Sequence, residues 1–219
     1  MKQSSIIDII SPVMVGPSSS HTAGAVRLGL MARNIYNDIP DKVIFRLYNS
    51  YAQTGKGHGT DKGLLAGVLG LGVDDTRIKD IFNLDVSKQF TYEFEYLEDF
   101  NRHPNAVDFI FKGKRDMMIS GDSLGAGEVS IKKIDGFSVN LTGKYNTLLL
   151  VYKDVPNMIS RVTNSIHVNI ASFYCDRSAK GEEASMCICL DSDISQKVID
   201  FLGLIDDVYM IRYIKKLES

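Results

Sequence analysis

The chain has 219 residues, 44% of them hydrophobic, enough to bury a core in one large domain or two smaller ones. Its 25 Lys and Arg against 27 Asp and Glu leave a formal charge of -2 with no long run of one sign, which argues against nucleic acid or an anionic membrane as partner. The apolar run over residues 6–10 is broken by Asp8 and lacks the length of a signal peptide or membrane span, so the chain reads as cytoplasmic.

The first dense stretch is Gly16-Pro17-Ser18-Ser19-Ser20-His21-Thr22-Ala23-Gly24. It runs into an apolar stripe at Ala25, Leu28, Ala32 and Ile35, the spacing of a helix face, so the cluster is expected at a helix start. Unpaired N–H groups and the positive end of the macrodipole make such a place fit for a carboxylate or a phosphate. One hydroxyl is enough for an ordinary N-cap. Here there are four, with an imidazole among them.

A β-branched and aromatic run over residues 42–48 reads as a strand. It leads into Gly55-Lys56-Gly57-His58-Gly59-Thr60-Asp61, followed by a helical pattern at Leu64, Leu65, Val68 and Leu69 with Thr60 or Asp61 as the expected cap. This repeats the design of the first motif: a permissive loop, a histidine and a helix start. The alternate glycines are neither the G-x-G-x-x-G of a dinucleotide fold nor a phosphate loop, so no nucleotide cofactor is indicated.

A short helix is expected over 75–83, then a half-buried strand over 90–97, where Phe90, Tyr92, Phe94 and Tyr96 alternate with polar residues. His103-Pro104-Asn105 forms a turn before a strand over 106–111 and supplies a third histidine beside polar amides. Further strands are expected over 116–120, 128–134 and 137–141. Gly121-Asp122-Ser123-Leu124-Gly125 has the letters of a nucleophile elbow, but no helix pattern follows, so it reads as a Gly-rich turn near the site. A hydrolase using Ser123 would rest on those letters alone.

From about residue 147 the pattern is strand 147–153, helix 157–165, strand 167–175, strand 184–190, helix 194–203 and strand 208–214, the split βαβ ferredoxin-like order. The three cysteines, Cys175, Cys187 and Cys189, form neither a C-x-x-C pair nor a four-ligand set. Cys187 and Cys189 are expected to share one face of their strand as buried thiols.

The three histidine motifs together resemble the β chain of the bacterial iron-sulfur-dependent L-serine dehydratases, over essentially the whole chain. Asp154-Val155-Pro156, Val168-Asn169-Ile170-Ala171 and Asp191 resemble an ACT domain, the small amino-acid-sensing fold. The fold class expected is therefore α+β: an N-terminal mixed α/β domain over 1–145, similar to the allosteric substrate-binding domain of some phosphoglycerate dehydrogenases, and a βαββαβ ACT domain over 147–219. Amino-acid-binding ACT domains usually carry glycine after the proline of the first loop. Asn157 stands there, and Asn157, Asn169 and Ile170 are the regulatory positions implied.

The resemblance implies conversion of L-serine to pyruvate and ammonia around a four-iron four-sulfur cluster held by an α subunit, with self-association through the ACT domain. Ser18, Ser19, Ser20, His21 and Thr22 are expected to hold the substrate carboxylate and developing charge, and Lys56, Gly57 and Thr60 of the second motif are further substrate-binding positions. His21 and His58 are the candidates for proton transfer or for hydrogen bonding to the hydroxyl. His103 and Asn105 would orient the substrate. A non-catalytic serine-sensing subunit is the alternative, although a sensor has little need for both His21 and His58.

Overall fold

A computed structural model describes residues 19–55 and 57–217, without the side chains of Ser19 and Ser20. The chain divides into two compact units between Asp135 and Gly136. In the first, β1 (Lys42–Tyr48), β2 (Thr91–Leu97), β3 (Ala106–Lys112), β4 (Met117–Gly125) and β5 (Glu128–Ile134) are ordered β2-β1-β3-β4-β5. β1 runs parallel to β2, and the other pairs are antiparallel. The period of two decides the faces. Val43, Phe45 and Leu47 of β1 are fully buried, while Lys42, Ile44 and Arg46 between them are only half-buried.

Helix α1 (Gly24–Tyr36) packs on β4 and β5. Its predicted stripe of Ala25, Leu28, Ala32 and Ile35 is wholly buried. A short α2 (Ser50–Thr54) follows β1, and α3 (Thr60–Val68) crosses α1. The crossing is close because glycines face each other across it. A methyl carbon at Gly29 would lie 2.5 Å from the Leu64 carbonyl oxygen, one at Gly63 would lie 2.9 Å from that of Thr22, and one at Gly67 would fall on that of Val26. Backbone therefore packs on backbone, and the starts of α1 and α3, where the two motifs lie, are held together.

The second unit holds β6 (Phe137–Leu141), β7 (Asn146–Lys153), α4 (Met158–Thr163), β8 (Ile170–Arg177), β9 (Glu183–Leu190), α5 (Gln196–Gly203) and β10 (Val208–Ile214). Its four-stranded sheet has the order β10-β7-β9-β8, antiparallel throughout. From β7 onward this is the β-α-β-β-α-β succession read from the sequence. Its core joins Leu148, Leu150, Met186 and Ile188 of the sheet to Val162 and Leu202 of the helices.

The first polar cluster does stand at a helix start: Ser19–Ala23 form a π-helical turn that leads directly into α1. Two local expectations need correction. The start of α3 is not capped by Thr60 or Asp61: Gly59, at φ 72°, occupies the cap, a left-handed backbone that glycine adopts without penalty. Residues 121–125 are not a turn but the end of β4. Gly121 is there for packing, since a methyl group on it would meet Leu28 at 2.8 Å and Ile131 at 2.9 Å, and the turn comes at Ala126 and Gly127. The short helix expected over 75–83 is present as a 3-10 helix, Thr76–Asn83, with the Asp75 carboxylate accepting from the Arg77 N–H.

Gly67→Ala is expected to destabilise the chain by about 1–3 kcal/mol, the scale of overpacking at a site that cannot yield. A urea titration followed by circular dichroism measures it. An unchanged midpoint would mean that the two helices can separate at little cost.

Candidate functional site

The first two motifs meet at the starts of α1 and α3. The Thr22 hydroxyl donates to the His58 carbonyl oxygen at 2.9 Å, which ties one motif to the other. The His21 and His58 rings lie 5.5 Å apart between centroids. His58 is exposed and His21 half-buried. His21 also packs 5.8 Å from the Tyr51 ring, and its Nε2 lies 3.4 Å from the Ser50 hydroxyl. Burial, and then the neighbouring His58, lower the His21 pKa below its ordinary 6.5, so its neutral form is favoured. Gly57, next to His58, is exposed, and a methyl group on it would meet nothing within 4 Å among the described residues.

The third motif approaches through α2. The Tyr51 N–H donates to the Pro104 carbonyl oxygen at 3.2 Å, and the Ser123 N–H to that of Asn105 at 3.0 Å. His103 Nδ1 accepts the Asn105 N–H at 3.1 Å, so the neutral ring carries its proton on Nε2. The loop before it is anchored by Arg102, which forms a two-pronged ion pair with Asp108 of β3 at 2.7 and 3.2 Å. Burial raises the Asp108 pKa, but hydrogen bonds from Arg102, Ser120 and Tyr48 outweigh it and hold the carboxyl below its ordinary range.

Of the residues expected at the site, His21, Thr22, Gly57 and His58 come together, and His103 and Asn105 adjoin them through α2. Thr60 is wholly buried, and its hydroxyl has no hydrogen-bond partner among the described residues; the Asn105 Oδ1 is in the same condition. Ser18 and Lys56 lie outside the described residues, as do the side chains of Ser19 and Ser20.

Residues 5–133 match the family described as serine dehydratase beta chain. The chain belongs to that family. It is 34% identical over 215 residues to the probable L-serine dehydratase, beta chain, of Bacillus subtilis, which covers 96% of this chain and 98% of the relative. It is 35% identical over 206 residues to the L-serine dehydratase, beta chain, of Peptoniphilus asaccharolyticus, which covers 90% and 92%. It is also 32% identical over 137 residues to L-serine dehydratase 2 of Escherichia coli, 55% of this chain and 30% of that protein.

The thiols of this family member do not fit an iron-sulfur cluster. Cys187 and Cys189 lie on one face of β9, 1% and 4% exposed, whereas Cys175 pairs with Met186 and so lies on the other face, 3.1 Å from the Tyr152 hydroxyl. Three thiols on two faces of a sheet cannot converge on one cluster. The hydrogen bond between Cys187 and Cys189 and then burial push the Cys187 pKa up. Among the described residues no three His, Cys, Asp or Glu side chains gather as a metal would need.

In the second unit, Asn157 is left-handed at φ 66°, the conformation glycine adopts without penalty. It lines a cavity of about 660 Å³ with Tyr152, Asp154, Met158, Cys175 and Arg177; Asn169 and Ile170 do not line it.

The sequence reading passed over Asn49, Ser50 and Tyr51. The available signal was their place just after a predicted strand, since ligands in open α/β sheets gather at strand carboxyl ends. Ser123, wholly buried on β4 and hydrogen-bonded to Tyr51, is packing rather than a nucleophile.

His21 is expected to titrate below 6.5 in an NMR pH series on the isolated chain, and His58→Ala should raise its pKa partway, leaving the effect of burial. Because the folded value lies below the unfolded one, the unfolded chain binds this proton more tightly, and stability falls as pH drops through the folded value. An ordinary His21 titration would contradict the partial burial of its ring.

Proposed function

We propose that this chain is the β subunit of an L-serine dehydratase, an L-serine ammonia-lyase that completes its active site with an α subunit. The carrying observation is the meeting of His21 and His58 at two adjoining helix starts, with Gly57 exposed next to His58. Serine loses its α-proton and its hydroxyl as water, and the resulting aminoacrylate tautomerises and is hydrolysed to pyruvate and ammonia.

In this reading the first helix start, Ser18 to Ser20, receives the substrate carboxylate, with Lys56 as a further cation. Thr22 fixes the glycine loop. His58, the exposed imidazole, serves proton transfer, and His21, kept neutral by burial, supports it. Thr60, His103 and Asn105 orient the substrate. The four-iron four-sulfur cluster belongs to the α subunit, because the thiols here cannot gather around one; when bound it supplies a Lewis acid for the departing hydroxyl. Exposed Tyr96, Leu97 and Phe100, the last 93% exposed, fit a surface that a second chain covers.

The second unit is read as an ACT domain used for self-association or for sensing a small ligand, with Asn157, Asn169 and Ile170 as its regulatory positions. Its strand order and the left-handed Asn157 after Pro156 support this. The reading places the protein in the cytoplasm. Among the described residues no helix is long and apolar enough to cross a membrane.

The test mixes the chain with its cluster-bearing partner under anaerobic conditions and follows pyruvate released from L-serine. His58→Ala is expected to lower kcat on the order of 10²- to 10⁴-fold, the range for a general acid or base, and His21→Ala to lower it less. Full turnover with lost response to serine in both variants would assign the chain a sensing role instead.

A further inference from the structure

We infer that Asn49 is a positioning residue that fixes the His103 loop to the Ser50–Tyr51 segment on which His21 rests. Its backbone stands at φ 51°, ψ -116°, a conformation that glycine adopts far more readily than asparagine. Such strain persists where the surroundings over-determine it, and it clusters at functional sites. The Asn49 N–H donates to the Leu97 carbonyl oxygen at 3.0 Å, and its own carbonyl accepts from the Gln53 N–H at 2.9 Å. Its side-chain Oδ1 accepts the Asp99 N–H at 2.9 Å, while Nδ2 donates to the carbonyl oxygens of Asp99 at 2.8 Å and Arg102 at 3.3 Å, with that of His103 at 3.5 Å.

A glycine would relieve the backbone but could not make any of the amide's bonds. Those bonds join two segments that both reach the histidines. On one side, Ser50 and Tyr51 contact His21 directly. On the other, the loop over 99–103 ends at His103, whose ring is oriented by the Asn105 N–H. Asn49 lies between them, and its side-chain amide bonds go to backbone groups of Asp99, Arg102 and His103. It acts through the loop, by fixing the direction of the His103 Nε2–H.

The catalytic consequence rests on the function proposed above; the placement of His103 does not. Two full-length variants, Asn49→Gly and Asn49→Ala, separate positioning from strain, because glycine is at ease at this φ and alanine is not. Three quantities are read: the denaturation midpoint, the ¹⁵N signals of the His103 ring in the isolated chain, and kcat and KM after mixing with the cluster-bearing partner.

Asn49→Gly is expected to unfold near the wild-type midpoint, to shift His103 from a single Nε2–H tautomer toward a mixture, and to lower kcat about 10- to 100-fold with a smaller change in KM, the scale of a misplaced group. Asn49→Ala should do the same and also lose stability. Should the glycine variant fail to fold, Asn49→Asp replaces it, since it keeps the acceptor and removes the donors, and the same changes are expected. Unaltered His103 signals in a folded variant overturn the inference. A kcat loss that only tracks the unfolded fraction also overturns it. A wild-type mixture without turnover would refute the proposed function, while the ring signals would still decide the role of Asn49.

Discussion

The site depends on the contact of two helix backbones. Gly29, Gly63 and Gly67 allow α1 and α3 to pack largely backbone on backbone, so the helix starts that carry His21 and His58 lie side by side. The Thr22 to His58 hydrogen bond and the 5.5 Å imidazole pair follow from that approach. A wider crossing, set by ordinary side chains, would separate the helix axes by 8–10 Å or so and pull the motifs apart. The hydrophobic stripe of α1 is needed to hold that helix on the sheet, yet it does not determine this distance.

Around that contact, burial and exposure divide the labour. His21 is partly withdrawn from water and so favours its neutral form, whereas His58 remains outside. Thr22 and Ser123 are buried and hydrogen-bonded within the fold, Thr22 to the His58 carbonyl and Ser123 to Tyr51. The loop with His103 is secured from one direction by the Arg102–Asp108 ion pair and from the other by Asn49. Neighbouring groups of similar chemistry thus have different tasks, decided by solvent access and by which of their lone pairs and protons are already committed.

Much of this was legible in the linear order. The periodicities of α1, β1, β3, β5 and β6 and the β-α-β-β-α-β tail emerged close to their observed bounds, because an amphipathic face is a local pattern. The three histidine motifs were visible too, since hydroxyls, glycines and imidazoles at that density have no purely local explanation. Less legible were elements whose reason lies elsewhere in the chain. Gly121 looked like a turn because its true neighbours, Leu28 and Ile131, are distant in sequence. Asn49 looked like nothing, because its partners over 97–103 come about fifty residues later. Gly59 displaced Thr60 and Asp61 as a cap because a left-handed residue was needed where the loop turns into α3.

By itself, then, the sequence determined the α+β class, the positions of most elements and the inventory of reactive groups, including a count of only three thiols. Only the tertiary structure decided which of those groups meet, which are spent on packing, and which face outward. The physical reason is that hydrophobic periodicity records whether a residue is buried, but not against what. Distances between segments far apart in the chain come from close contacts such as the glycine crossing, and those contacts leave no local periodic signal.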